Sequence, residues 1–258
     1  MLILEEYQNH LAFERQLAKN TIAAYLRDVK EYLAFCRINH TAPEAALPEF
    51  LDTYVYYLRT GRILAPSSVF RKMEAVKNFY KFLLIESVIK QDPTRFLLSP
   101  RVLKKVPQQL TPQEMERLLT YPARDFHQWR VLAIINLFYA TGIRVSELIN
   151  LRLENINLKE GWVLAFGKGG KQRFVPVNAQ ACEVVARYLD LRAAKFAAAQ
   201  TGSEVFLNRE GKKVSRIMVW KDIEALGRAA GITRRVHPHL FRHTFASHML
   251  KGGADLRA

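Results

Sequence analysis

Cysteine is scarce in this chain: there are two in 258 residues. Cys36 and Cys182 lie far apart and neither has a C-x-x-C partner, which excludes a disulfide framework and a cysteine-based zinc site. Cys36 closes an apolar helical pattern and reads as a small core residue. Long apolar runs are missing too. None reaches the roughly 18 residues that a membrane-spanning helix requires, and Met1-Leu2-Ile3-Leu4-Glu5-Glu6 lacks the basic start of a secretion signal. No membrane partner is expected, and a reducing, cytoplasmic setting fits. Acidic residues are the minority charge, with 24 Asp and Glu against 39 Lys and Arg and a net charge of +15. An excess of that sign calls for a polyanion, and nucleic acid is the natural one.

The hydrophobic fraction of 49% is enough for a packed core, and the length allows one large or two ordinary domains. The first hundred residues read as helices throughout. Leu4, Tyr7 and Leu11 suggest a short amphipathic helix, and Asn20 and Thr21 are placed to cap a second carrying Ile22, Tyr25, Leu26, Val29 and Leu33. Phe50, Leu51, Tyr54 and Leu58 follow Pro48 as a third. A fourth is expected from Ser67 or Ser68 through Val69, Met73, Val76, Tyr80 and Leu83. Between Gln91 and Gln109 the periodicity fails around Pro93, Pro100 and Pro107, and the Lys104-Lys105 pair there suits a phosphate backbone. Thr111-Pro112-Gln113-Glu114 then spells a capping box that opens a new domain. The domains are accordingly read as 1–100, a linker 101–109, and 110–258. Residues 1–107 hold 16 Lys and Arg against 11 Asp and Glu, and the remainder 23 against 13, so both parts are basic.

In the second part, Val131 to Phe138 is almost wholly apolar and reads as a buried helix that stops at Gly142. Arg144 follows that stop. An arginine suits anion recognition because its planar fork offers two parallel hydrogen bonds and keeps its charge. Glu147 either orients Arg144 or is an ordinary surface carboxylate. Trp162–Phe166 and Gln172–Val177 flank Gly167-Lys168-Gly169-Gly170 as a β-hairpin. The glycine–lysine turn lacks the Walker spacing, so nucleotide binding is rejected. Lys171 and Arg173 read as backbone contacts or solvated charges. Asn178 is placed to cap a helix bearing Ala181, Val184, Val185, Tyr188 and Leu189, Val205-Phe206-Leu207 to form a short strand, and Ser215 to cap a helix ending near Gly231. Last comes His237-Pro238-His239-Leu240-Phe241-Arg242-His243. Pro238 suits the first helical position, so His239 and Arg242 share a face beside a helix N-terminus, either as a seat for a phosphate or as an ordinary solvated pair. No His, Cys and Asp grouping has metal-ligand spacing.

The ordered set Ala140-Thr141-Gly142-Ile143-Arg144-Val145-Ser146-Glu147-Leu148, Gly167-Lys168-Gly169-Gly170-Lys171 and His239-Leu240-Phe241-Arg242 resembles the tyrosine recombinases, with wording close to their Xer branch. Leu17-Ala18-Lys19-Asn20-Thr21-Ile22-Ala23-Ala24-Tyr25 looks like the opening of that branch's helical, SAM-like core-binding domain. The resemblance covers nearly the whole chain. It implies a mainly α fold with a small β-hairpin or sheet in the second domain, the two domains forming a clamp on double-stranded DNA. It also implies metal-free, cofactor-free strand cleavage and rejoining through a 3′-phosphotyrosyl link. In that scheme Arg144 and Arg242 hold the phosphate, His239 handles a proton or hydrogen-bonds the phosphate, and Lys168 protonates the leaving 5′-oxygen. DNA contacts are expected from Lys19, Asn20, Thr21, Arg71, Lys72, Lys77, Lys81, Lys171, Arg173 and Arg235.

Further protomers in a tetrameric synapse, a paralogous partner and a septal DNA translocase are the implied protein partners, in resolution of chromosome or plasmid dimers at cell division. The family places another histidine or tryptophan and then the nucleophilic tyrosine beyond the His-x-x-Arg helix. This chain stops at Gly253-Ala254-Asp255-Leu256-Arg257-Ala258, and no tyrosine follows Tyr188. The expectation is a recombinase truncated before its nucleophile, able to bind DNA and unable to cut it. A mobile-element integrase, a catalytically inert DNA-binding relative and a type IB topoisomerase are the alternatives.

Overall fold

The computed structural model describes residues 2–97, 109–167, 170–199, 201–251 and 253. Two compact units divide the chain, residues 1–105 and 106–258. The expected linker, 101–109, lies outside the described residues except for Gln109, and Lys104 and Lys105 with it.

The first unit is helical: α1 Leu2–Asn9, α2 Lys19–Ile38, α3 Pro48–Tyr56 and α4 Pro66–Ile85. The apolar stripes read from the sequence meet in one core, where Tyr7, Val29, Tyr32, Tyr54, Val69, Met73, Val76 and Tyr80 have no exposed surface. Cys36 is buried among them, as expected of a small core residue. The Tyr32 and Tyr80 hydroxyls pair at 2.5 Å inside this core, and Tyr80 also donates to the Pro43 carbonyl at 3.0 Å.

Two helix starts differ from expectation. Ala18, not Asn20 or Thr21, is the N-cap of α2, and it has no side-chain cap bond. Ala65 holds the same place before α4, because Pro66 occupies the first helical position and extends the residue ahead of it, displacing Ser67 and Ser68 inward. Both helices are entered through the same turn. Arg15 N–H donates to His10 O and Leu17 N–H to Leu11 O, both at 3.0 Å; Arg62 N–H donates to Tyr57 O at 3.0 Å and Leu64 N–H to Leu58 O at 3.1 Å. Each turn closes a π-helical stretch, His10–Glu14 and Tyr57–Gly61. Arg15-Gln16-Leu17-Ala18 and Arg62-Ile63-Leu64-Ala65 are therefore two copies of one device.

The second unit packs helices around α6 (Phe126–Thr141), whose residues Ala133, Ile134, Ile135 and Leu137 are fully enclosed. α5 (Pro112–Leu119) opens with the expected capping box: Glu114 N–H donates to Thr111 Oγ1 at 3.1 Å and Thr111 N–H to Glu114 Oε2 at 2.8 Å. α7 (Val145–Ile149) follows α6 directly, and α8 (Ala179–Lys195) and α9 (Arg216–Ala229) start on the predicted caps Asn178 and Ser215. α10 spans Pro238–Lys251. The hairpin is present as β2 (Trp162–Phe166) and β3 (Gln172–Pro176), antiparallel with Leu164 opposite Phe174, and a two-residue β1 (Ile156–Asn157) that the sequence reading missed adds a third strand.

Val205–Leu207 is not a strand; the segment makes isolated bridges, Glu204 with Arg152 and Leu207 with Lys213. Arg130, buried in α6, ties this segment to α9 by donating to Leu207 O at 2.9 Å and to Asp222 at 2.8 Å. No helix among the described residues is long and apolar enough to cross a membrane.

Candidate active site

The site is built on the end of α6. Gly142 terminates that helix with φ +58°, the left-handed conformation that suits glycine, and donates its N–H to Phe138 O at 2.8 Å. A Cβ at Gly142 would lie 2.7 Å from Cε1 of Phe245 and closer still to Cδ1, so α10 approaches this backbone as only glycine permits. Phe241 stacks on Phe138 with ring centroids 6.3 Å apart, and Leu110 N–H donates to Thr244 Oγ1 at 2.9 Å, which seats the other faces of α10. That seating lets Arg242 donate from Nη1 to the Gly142 carbonyl. Two residues on, Arg144 takes the N-cap position of α7. Residues predicted from separate motifs thus meet across one glycine.

A carboxylate holds Arg144. Glu147, 6% exposed, accepts the Arg144 backbone N–H at Oε2 (2.8 Å) and the Arg144 guanidinium at Oε1 (3.1 Å). This is half a capping box, with the glutamate reaching back, since an arginine side chain has nothing to accept with. Arg173 on β3 closes the other side with a two-pronged pair, Nη1 to Oε1 at 2.9 Å and Nη2 to Oε2 at 2.8 Å. Burial raises the Glu147 pKa, but hydrogen bonds from Arg173 and the Arg144 backbone outweigh it and hold the carboxyl at about 2. Arg242 is moved the other way: burial and then the neighbouring Arg144 lower its pKa, as expected where positive charges are held together. Even so, guanidinium chemistry keeps it charged. Arg173, still partly exposed, gives its fork to Glu147, and Glu147, enclosed and paired, is no ordinary surface carboxylate.

Lys168 and its neighbour Gly169 lie outside the described residues. The base of their turn is described: Gly167 N–H donates to Lys171 O at 2.7 Å, and a Cβ on Gly167 would sit 3.5 Å from Arg173 Nη1 and 3.7 Å from Glu147 Oε1. The turn therefore begins over the Glu147–Arg173 pair. Lys171 is exposed there.

His239 is exposed on the first turn of α10. His237, just ahead of the helix, accepts the Leu240 N–H at Nδ1 (3.2 Å) and stacks on Trp220 with centroids 5.1 Å apart. Burial, then the neighbouring His239, lowers its pKa. His237 as a neutral cap and Trp220 as its platform were both missed; a histidine directly before Pro238 was the signal. Arg235 lies over the other part of this group, 5.2 Å from the Trp220 ring centroid and 3.2 Å from Glu224 Oε1, and stays largely exposed. Arg234 is held by Glu114 at 3.1 Å and by Gln109 O at 2.7 Å.

In the first unit Lys19, Asn20, Arg71 and Lys81 are exposed and Thr21 and Lys77 half-buried. Arg71 nevertheless pairs with Asp28, and Lys77 lies 3.7 Å from Glu74. Lys72 departs from expectation. It is buried at 7% exposure, with Nζ 3.1 Å from Asp28 and 2.7 Å from Glu31. A buried carboxylate such as Asp28 requires a partner, and Lys72 is consumed in supplying one.

Two arginines from different elements, an enclosed carboxylate bonded to one of them and a turn that starts over that carboxylate, on a largely helical unit that follows a helical bundle in sequence, describe a phosphate-handling domain of the tyrosine recombinase type. Residues 108–258 match the phage integrase family and residues 4–87 its N-terminal SAM-like domain, and the chain belongs to that family. It is 37% identical over 258 residues to the tyrosine recombinase XerD of Chlorobaculum tepidum, covering 98% of this chain and 84% of that protein. With the tyrosine recombinase XerD of Halalkalibacterium halodurans it shares 39% over 259 residues, 99% of this chain and 86% of that protein. Among solved structures, the XerH site-specific recombinase bound to difH substrate, in a pre-cleavage complex, has the same fold (TM-score 0.69, 22% identity, 92% of this chain and 70% of that one). So does the Tn1549 transposon integrase in complex with circular intermediate DNA (TM-score 0.75, 16% identity, 99% and 89%).

Proposed function

We propose that this chain belongs to a Xer-type site-specific recombinase that cuts and rejoins double-stranded DNA through a 3′-phosphotyrosyl intermediate, in the cytoplasm. The observation that carries the reading is the convergence of Arg144 and Arg242 across Gly142, with Glu147 bonded to Arg144. Phosphoryl transfer requires little of a protein beyond positioning and neutralising charge on the phosphate's non-bridging oxygens, and two guanidinium groups presented from neighbouring backbone do both. Arg144 and Arg242 form that clamp. His239, three residues before Arg242 and exposed on the first turn of α10, hydrogen-bonds the phosphate or relays a proton. Lys168 protonates the departing 5′-oxygen.

Both units are basic, as expected of a clamp in which each grips the same duplex through phosphate contacts. XerH carries difH substrate in its structure and the Tn1549 integrase circular intermediate DNA, and we extend duplex binding to this chain. A tetrameric synapse with further protomers, a paralogous partner and a septal DNA translocase complete the reading, in the service of dimer resolution at cell division.

The test uses a nicked duplex carrying a relative's recombination site, presented to this chain fused to the tyrosine-bearing C-terminal segment of that relative. A covalent protein–DNA adduct is expected, and Arg144→Ala and Arg242→Ala should each abolish it. An adduct that survives both substitutions removes the clamp. One formed by the 258 residues alone moves the nucleophile to another tyrosine.

A further inference from the structure

Glu147 presents a difficulty for any anion that Arg144 is to bind. Its carboxylate is enclosed, yet it holds the very guanidinium that must turn outward to a phosphate. If Arg144 were the only cation on Glu147, capturing a phosphate would leave a buried charge without a counter-ion. The structure supplies a second cation. Of the four donors that converge on Glu147 among the described residues, two come from Arg173, and the Arg144 backbone N–H is a third that does not move when the side chain turns. Only the fourth, the Arg144 Nη1 contact at 3.1 Å, is surrendered, and it is the longest of the set. Arg173 arrives from β3, so its hold on Glu147 also ties the strand leaving the Lys168 turn to the first residues of α7.

Resting on the phosphate-clamp reading above, we infer that Arg173 is a positioning residue that keeps Glu147 neutralised, so that Arg144 is released to the phosphate. Among the described residues, three charged groups bear on Glu147: Arg144 from the start of α7, Arg173 from β3 and Arg242 from α10. Arg242 donates to the Gly142 carbonyl and makes no bond to Glu147, so it cannot substitute for Arg173. Lysine at 173 would keep the charge and lose the fork. Methionine would keep most of the stem and lose both.

The probe is inorganic sulfate, whose charge is constant over the range used. Its binding is read from the Nε–Hε NMR signals of Arg144 and Arg242, identified by substituting each, with a thermal melt to confirm folding of every variant. Sulfate should shift both signals in the unsubstituted chain. Arg173→Met should weaken binding about ten-fold at pH 7, and Arg173→Lys by less. The loss in Arg173→Met should shrink as pH falls toward 4, because a protonated Glu147 needs no counter-ion. Adding Glu147→Gln to Arg173→Met should restore affinity at pH 7, since the charge that competes for Arg144 is gone.

A merely structural Arg173 predicts a loss that is equal at every pH and not recovered by the double substitution, and that outcome overturns the inference. So does unchanged sulfate binding in Arg173→Met. If the unsubstituted chain shows no sulfate shift at Arg144 and Arg242, the clamp reading falls, and this inference with it.

Discussion

The guanidinium of Arg242 donates to the carbonyl of Gly142, and Arg144 begins the next helix two residues later. One left-handed glycine therefore fixes the separation of two charges that would otherwise repel. The interaction is enforced from behind, where Phe245 fills the space a Cβ would need and Phe241 stacks on Phe138. Preorganisation of this kind means that the cost of bringing the cations together is met by core packing during folding, before any phosphate arrives.

Gly142→Ala tests that arrangement directly. A left-handed alanine costs about 1–2 kcal/mol, and overlap with Phe245 adds about 1–3 kcal/mol unless α10 shifts. Denaturant unfolding of the variant should show a loss of about 2–5 kcal/mol for these two reasons together. Any folded population should bind DNA more weakly, because relief of the overlap displaces Arg242. An alanine variant as stable as the parent would mean that the contact between α10 and Gly142 is loose.

Glu147 confers a pH dependence on stability. Its folded pKa of about 2 lies below the ordinary value of 4.5, so its contribution is fully present above pH 4.5 and is lost as pH falls from there toward 2. A shift of that size corresponds to about 3 kcal/mol by linkage. Comparing urea midpoints at pH 6 and pH 3, the parent should lose more stability than Glu147→Gln, whose residue 147 does not titrate. Equal losses in the two proteins would place the acid sensitivity elsewhere.

Much of this was legible in the sequence because helices announce themselves locally. The stripes on α1 to α4, the caps Thr111, Asn178 and Ser215, and the glycine that ends α6 are all short-range signals. The arginines, too, came from motif order. What stayed hidden was pairing across the chain. Helical spacing sets Lys72 on the stripe of Val69, Met73 and Val76 and Arg71 off it, yet nothing local says that Asp28 and Glu31 of α2 meet Lys72 there. Arg173 likewise looks like any strand cation until β3 is laid against α7, 26 residues away in sequence from Glu147. Asn20 and Thr21 failed as caps because the N-cap lies two residues before the first of them, a distinction finer than composition carries.

Lys72 and Lys81 should accordingly part ways when each is replaced by alanine. Removing Lys72 leaves Asp28 and Glu31 without its ammonium, with Asp28 fully buried, and should destabilise the first unit by about 3 kcal/mol or more. Lys81, exposed on α4, should leave the melting temperature nearly unchanged and lower the salt slope of DNA binding by about one unit. In mobility-shift titrations the parent should itself lose roughly a thousand-fold in affinity from about 50 to about 200 mM salt if about six phosphates are contacted. A flat salt response would dismantle the electrostatic clamp, and a stable Lys72→Ala would contradict the buried pairs.

Lys168 has a role that chemistry can isolate. An alkoxide is a poor leaving group, so expelling the 5′-oxygen calls for a proton delivered in the transition state, help typically worth about a hundred- to ten-thousand-fold in rate. The turn that carries Lys168 starts at Gly167, directly over the Glu147–Arg173 pair, which places its base at the edge of the arginine clamp. In the chain fused to a relative's tyrosine-bearing segment, Lys168→Ala should therefore cut cleavage severely while leaving duplex affinity within a few-fold of the parent. Replacing the bridging 5′-oxygen by sulfur gives a leaving group that departs without the proton. That substrate should rescue Lys168→Ala and should not rescue Arg144→Ala or Arg242→Ala, because the non-bridging oxygens still need their charge neutralised. Rescue of all three to the same degree, or of none, would strip Lys168 of the acid's role and leave it a backbone contact.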